Sequence, residues 1–265
     1  MFAINPFAAL SASISPAVMQ GYVVLMIVLV AAGTLFDIVH KGSAKYFFTN
    51  WKTRRGRRVG GGELASIAVK TAVVDVLASG EFCNAKRRIA HLLTMYGFVL
   101  HVVSAIVMVF GLSADSMWAH LWWIGGLMVL VGGYWFWFFI RADVTAEGSS
   151  RWRVMHADLF VLSLLASVTF GLLWAWLQSW ILFGLYIIAT TVLFAGVPWS
   201  KFAHMFFKPA AAFEKRVAEA NGTHQNLPTL TRDDPEQQAR HSMELLRNAP
   251  MDMGLGIKRE APRHY

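Results

Sequence analysis

The chain has 265 residues, of which 56% are hydrophobic and only 15% charged, against roughly a quarter charged in an average soluble domain. Its formal net charge is +8, and its single cysteine, Cys83, excludes an internal disulfide framework, a CxxC zinc site and a cysteine-ligated iron–sulfur cluster. A basic balance of this kind suits anionic lipid as well as nucleic acid, so the placement of the charges has to decide between them.

In chain order, residues 1–16 form a short lead without a basic residue; the first Lys is Lys41. That pattern lacks the basic n-region of a cleavable signal, so the first apolar run, Ala17–Val39, is expected to be retained. A linker over 40–88 follows, with seven basic residues and no acid between Lys41 and Arg58. Within it, Glu63–Ser79 reads as a helix with Lys70 and Asp75 on an aliphatic run, too short and too charged to span; an interfacial or a docking helix both fit. Then come Ile89–Leu112, Trp118–Ile140, Val154–Leu177 and Trp180–Trp199, the last expected to continue to Phe206. Each approaches or exceeds the ~20 apolar residues that cross ~30 Å of hydrocarbon, and none has the two-residue period of a barrel strand. The tail, 209–265, is mixed in charge and proline-containing, and reads as largely extended from Phe213 onward, with a short helix near Glu236–Arg247.

The expected fold is therefore an all-α integral membrane protein, a five-transmembrane-helix bundle over 17–208. All 24 Lys and Arg fall in the linkers and tail on one side, and none in 1–16, 113–117 or 178–179. The positive-inside rule then places the N-terminus outside and the C-terminus in the cytoplasm. Trp118, Trp122, Trp152, Trp176, Trp180 and Trp199 lie near span ends, where interfacial anchoring is expected. The basic surface faces the cytoplasmic leaflet or a cytoplasmic partner, and no nucleic acid is expected.

Ionisable residues inside a span are costly and mark function. His91 and His101 share the second span, about 80° apart around the helix and ~15 Å apart along it. His120 lies at the outer end of the third, His156 at the inner end of the fourth and His204 at the inner end of the fifth. His91, His156 and His204 thus occupy one layer near the inner interface. Two imidazoles from facing helices can hold a haem, with Arg87, Arg88, Arg153, Lys201 and Lys208 near enough to pair with its propionates. The competing reading makes each His a hydrogen-bonding link between helices. His156 with Asp158 could serve proton transfer, or simply mark a charged helix start. Gly/Pro-interrupted spans of the transporter kind are scarce apart from Pro198.

Two motifs carry a resemblance. One is Lys86-Arg87-Arg88-Ile89-Ala90-His91 followed by His101; the other is Pro198-Trp199-Ser200-Lys201-Phe202-Ala203-His204. Together with five spans, they resemble the gamma subunit of respiratory nitrate reductase and related membrane b-type cytochromes, including the membrane subunits of the Qmo, Dsr and heterodisulfide reductase complexes. The resemblance implies that His91 and His204 hold a cytoplasm-proximal haem b. It implies that His101 pairs, for a distal haem, with a histidine 18 residues before His204. That position is Tyr186 here. Either one haem remains, or His120 substitutes as ligand, or the His101–Tyr186 region has become a polar quinone pocket, where either side chain could hydrogen-bond a quinone carbonyl; one haem is expected over two.

The function implied is that of a membrane subunit moving electrons between the quinone pool and cytoplasmic iron–sulfur or flavin oxidoreductase subunits, in the cytoplasmic (inner) membrane of a bacterium. The chain also looks like the membrane anchor associated with adenylylsulfate reductase in sulfur oxidisers, and a haem-free anchor recruiting a soluble redox enzyme is the alternative. Without flavin or iron–sulfur motifs it is not expected to be a complete enzyme.

Overall fold

The structure is a computed structural model that describes residues 2–40, 43–53, 56–80, 82, 85–111, 116–141, 152, 154–155, 158–199, 204–224 and 227; the side chains at 43, 44, 46, 116, 204, 206 and 207 are outside the description. The described residues are helical or in short connections, with no strand among them. The elements are α1 (Pro6–Leu10), α2 (Pro16–His40), α3 (Ser43–Thr53), α4 (Gly61–Lys70), α5 (Ala85–Gly111), α6 (Ser116–Trp135), α7 (Leu159–Leu177), α8 (Trp180–Ala195) and α9 (His204–Ala220). π-helical turns extend α4 over Thr71–Leu77 and α6 over Phe136–Ile140.

Four helical stretches are long and apolar enough to cross a membrane: Pro16–His40, Ala85–Gly111, Met117–Ile140 and Leu159–Leu177. This is the make-up of a multi-pass membrane protein. The fifth expected span differs. α8 has 16 residues, a rise of ~24 Å, and does not run on to Phe206. The chain stops at Gly196, whose N–H still donates to the Val192 carbonyl, and turns through a 3-10 segment at Val197–Trp199. Pro198 explains the stop: it has no N–H to donate and disfavours a helical residue before it.

Three other expectations need correction. The lead before the first span contains α1, begun by Asn5, which caps it by accepting from the N–H groups of Phe7 and Ala8 and is itself anchored by donation to the Met108 carbonyl. The fourth span begins at Leu159 rather than Val154. The tail is not extended from Phe213: α9 runs through it to Ala220, while the expected helix at 236–247 lies outside the described residues.

Glycines determine how the bundle closes. α5 and α6 form the most extensive pairing, with α7 and α8 next. Gly125 and Gly132 of α6 lie against α5, where added methyl groups would stand 2.7 Å from the carbonyl oxygens of Gly97 and Ala90, respectively. Gly126 and Gly133, one residue on in each case, lie against Leu172 and Leu165 of α7. Two Gly-Gly pairs seven residues apart thus give α6 two smooth faces, the small-residue packing that lets helices approach where apolar burial alone gives no preference over lipid. Trp122 is in the centre of this packing at 0% exposure rather than at an interface. Trp152, Trp176, Trp180 and Trp199 are exposed, as expected of interfacial side chains.

On the basic side, α9 packs across α3, α4 and the π-turn after α4. Arg216 of α9 grips Asp75 with two hydrogen bonds, Nε to Oδ2 at 2.8 Å and Nη2 to Oδ1 at 2.9 Å. Arg57 donates to the Ala220 carbonyl at 3.0 Å and pairs with Glu63, closing the other end of the same layer.

Candidate functional site

Two places along α5 gather the candidate residues, one around its middle and one at its start. The first surrounds His101, which is buried at 4% exposure against α6. Its ring stacks on the Trp122 indole, centroids 4.6 Å apart at 23°, and its Nδ1–H donates to the Trp122 backbone carbonyl at 2.8 Å. A helix carbonyl is normally screened by side chains one turn on. Here those positions are Gly125 and Gly126, and a methyl on Gly126 would lie 3.1 Å from His101 Nδ1. The glycine pair therefore opens the helix backbone to the imidazole.

A carbonyl can only accept, so Nδ1 carries the proton and, in a neutral ring, Nε2 carries the lone pair. Nε2 is buried and has no hydrogen-bond partner among the described residues. An orphaned buried acceptor costs ~1–3 kcal/mol, and other buried groups nearby share this state, the Trp122 indole N–H and the Ser104 hydroxyl among them.

His101 and Tyr186 line the same cavity, about 890 Å³, which runs between α2 on one side and α5, α7 and α8 on the other. Phe7 and Leu10 of α1 line it near one end and Met205 of α9 near the other. Its wall is almost wholly apolar. Tyr186 stacks on Trp174 with ring planes 7° apart, and its edge rests on Gly171, where a methyl would come within 3.0 Å of the ring. The remaining polar groups are few. Ser167 and Thr190 share a hydrogen bond of 2.7 Å, and Tyr22 donates to the Ile187 carbonyl at 3.2 Å beside Thr191. His101 and Tyr186 line one cavity, but where a polar pocket was one of the expectations the wall is almost wholly apolar, and the chemistry of His101 also differs. With its proton committed to Trp122, neutral His101 can coordinate a metal or accept from a hydroxyl, but it cannot donate to a quinone carbonyl; Tyr186 can.

The second place is the start of α5. His91 is partly buried; its Nδ1 lies 3.0 Å from the Ser79 hydroxyl, and Phe82 leans on its ring at 4.8 Å. Ser79 is held at φ 48°, in the left-handed region, and is 1% exposed, so the connection after the π-turn is fixed against α5. Arg88 Nε donates to the Ala78 carbonyl at 2.8 Å and Tyr96 to the Leu77 carbonyl at 2.7 Å, fastening the same connection. Lys208 places its amine 5.5 Å from the centre of the Phe82 ring. Lys208 is one turn after His204, which opens α9, so the start of that helix and His91 share a neighbourhood. The side chain of His204, and all of His156, Arg153 and Lys201, lie outside the described residues. His120 is exposed near the start of α6.

Among the described residues no group of three or more His, Cys, Asp or Glu is arranged to hold a metal ion. A haem asks for less, one or two axial imidazoles. The orphaned Nε2 of His101 fits such a ligand atom, and the Ser79 hydroxyl on Nδ1 fixes the orientation of the His91 ring. A reading centred on histidines passes over Trp122, whose carbonyl and ring orient His101, and Asp37, 2% exposed near the end of α2. The signal for Asp37 was available, as an acid within an apolar run. For Trp122 there was none, because a tryptophan near a span end reads as an anchor.

No family model, curated protein or solved structure matches this chain.

Proposed function

We propose that the chain is a membrane subunit that transfers electrons between the quinone pool and a cytoplasmic oxidoreductase, with α8 as a fifth crossing, the N-terminus outside, and the basic layer of α3, α4 and α9 in the cytoplasm of a bacterial inner-membrane protein. The observation that carries this reading is the buried Nε2 of His101, without a hydrogen-bond partner among the described residues, in a long apolar cavity that Tyr186 also lines. A haem b, when bound, would supply one-electron transfer. His91 and His204 are the residues proposed to hold it near the cytoplasmic side, with Arg88 and Lys208 as the nearby cations. His156 would stand in the same layer.

Around the middle of α5, the cavity has the features of a site for an isoprenoid quinone: an apolar wall along α2 for the tail and a few polar groups for the head. Tyr186 would donate to a carbonyl, and His101 would accept from a hydroxyl of the reduced form or ligate a second haem. A soluble iron–sulfur or flavin partner, adenylylsulfate reductase among the candidates, would dock on the basic layer.

The test is a reduced-minus-oxidised spectrum of the purified protein with a haem-to-protein ratio. A b-type spectrum at about one haem per chain, lost in His91→Ala and His204→Ala, is expected. A colourless protein from haem-replete cells sinks the proposal and leaves the second reading, a haem-free anchor. That reading draws on the basic linker and tail, a surface through which a soluble enzyme would be recruited.

A further inference from the structure

Among the described residues, the layer of α3, α4 and α9 exposes large apolar side chains. α3 follows the membrane-crossing α2 after two residues. It shows Phe48 at 69% exposure and Trp51 at 48%. At about 100° per residue, Phe47, Trp51 and Phe48 fall within one ~100° stripe, and Lys45 and Lys52 lie side by side along its edge, within ~60° of Phe48. Both lysines are exposed, as is Arg58 beyond the helix. Beside α3, α4 and its π-turn expose Val69, Val73 and Leu77 about a turn apart, and α9 ties the two segments into one layer.

Each of these features has a physical consequence. A short helix with an aromatic face and lysines along its margin lies flat at a membrane interface, rings toward the acyl boundary and amines toward the headgroups. Lysine stems favour this, since they can run along apolar surface while the charge stays in water. Continuity with α2 fixes the depth: the helix begins where the crossing segment ends. The charge fixes the partner, because residues 41–58 hold seven Lys and Arg with no acid; Arg57 has Glu63, and the phosphate of an anionic lipid supplies a counter-charge for Lys45, Lys52 and Arg58. An acidic protein surface would satisfy the lysines but would leave Phe48 and Trp51 unaccounted for.

We propose that α3, with Arg58 beyond it, is a binding site for anionic phospholipid on the side of the membrane where α2 ends. Neither haem nor quinone enters this assignment. Trp51 and Phe48 seat the helix among the acyl chains, and Lys45 and Lys52 hold the headgroup phosphates. The site orients the α4–α9 layer above it, since α9 packs on both helices.

The experiment uses the full chain in uncharged-detergent micelles, titrated with dibrominated phosphatidylglycerol or with dibrominated phosphatidylcholine while tryptophan fluorescence is followed. Phosphatidylglycerol should quench at the lower mole fraction, and Trp51→Phe should remove the quenching specific to it. Each lysine changed to glutamine, at 45 and at 52, should weaken the preference about fivefold, and raising the salt should weaken it further. Equal quenching by the two lipids overturns the proposal and turns the basic face over to an acidic protein partner. A preference that persists unchanged in Lys45→Gln/Lys52→Gln also overturns it. If that variant fails to fold, the wild-type salt series decides: a preference that ignores ionic strength is not electrostatic, and the proposal falls.

Discussion

Gly125 presses the backbone of α6 against the amide nitrogen of His101 so closely that a methyl group at position 125 would stand 2.6 Å from that nitrogen. The atom in the way is backbone, so it cannot rotate aside; α5 and α6 would have to separate. Gly125→Ala should therefore destabilise the protein by ~1–3 kcal/mol, the usual range for overpacking, even though alanine is the better helix former. The separation would also pull His101 away from the Trp122 carbonyl. Thermal unfolding in detergent checks the first effect. A variant as stable as the parent would show that the two helices are not in backbone contact there.

The ion pair of Asp75 with Arg216 joins segments 141 residues apart and is only partly exposed, 16% and 22% at the side chains. Both guanidinium bonds are made, and the carboxylate beside it raises the Arg216 pKa above its ordinary value. Removing one partner leaves the other half-buried and uncompensated. Asp75→Asn or Arg216→Met should cost about 1–2 kcal/mol of docking and release α9. Limited proteolysis within Phe213–Ala220 should accelerate in either variant, and the double variant should be no faster than the worse single one. Unchanged cleavage would mean that α9 is held by its other contacts.

Glu63 and Arg57 form the outer clasp of the same layer. The Arg57 hydrogen bond lowers the Glu63 pKa below its ordinary value of 4.5. A carboxyl lowered in the folded state binds fewer protons than in the unfolded chain, so its contribution is present above about pH 4.5 and fades as the pH falls through the lowered value. The pair is well exposed, and screening keeps the effect small. Between pH 6 and pH 3, wild type should lose slightly more thermal stability than Glu63→Gln, and salt should shrink the difference. Parallel pH curves for the two proteins would remove the clasp from the account.

The long apolar helices were legible in the sequence, because crossing hydrocarbon needs a long run that single residues cannot hide. Their ends were poorly legible. Pro198 ends the fifth apolar helix as its backbone chemistry requires, yet the apolar run through Phe206 reads as continuous. α1 is five residues long and produces no period to recognise. That His101 and Tyr186 line one cavity was among the alternatives the sequence offered, though as a polar pocket rather than an apolar one. The proton on His101 was not legible. It depends on the Trp122 carbonyl, and access to that carbonyl depends on two adjacent glycines of a neighbouring helix, a relationship that no spacing within one segment reveals.

Tyr186 offers the most direct test of what the cavity can hold. In the resembling family, a histidine at this position and the one matching His101 share an iron. Here His101 retains an orphaned Nε2, while position 186 carries a phenol whose ring lies flat on Trp174 and edge-on to Gly171. Imidazole is smaller than phenol, so Tyr186→His should fit without displacing either neighbour. If His101 is poised as an axial ligand, the variant should bind about one more haem per chain than wild type, with a bis-histidine b-type spectrum. His101→Ala in the same background should remove that haem. If the cavity instead serves a quinone head through the tyrosine hydroxyl, Tyr186→Phe should raise KM for a water-soluble quinol analogue several-fold while leaving the haem ratio untouched. The two variants separate the possibilities, since one reads iron and the other reads a hydrogen bond. A Tyr186→His protein with unchanged haem, together with a Tyr186→Phe protein with unchanged KM, would leave the cavity without either role and return His101 to a purely structural bond with Trp122.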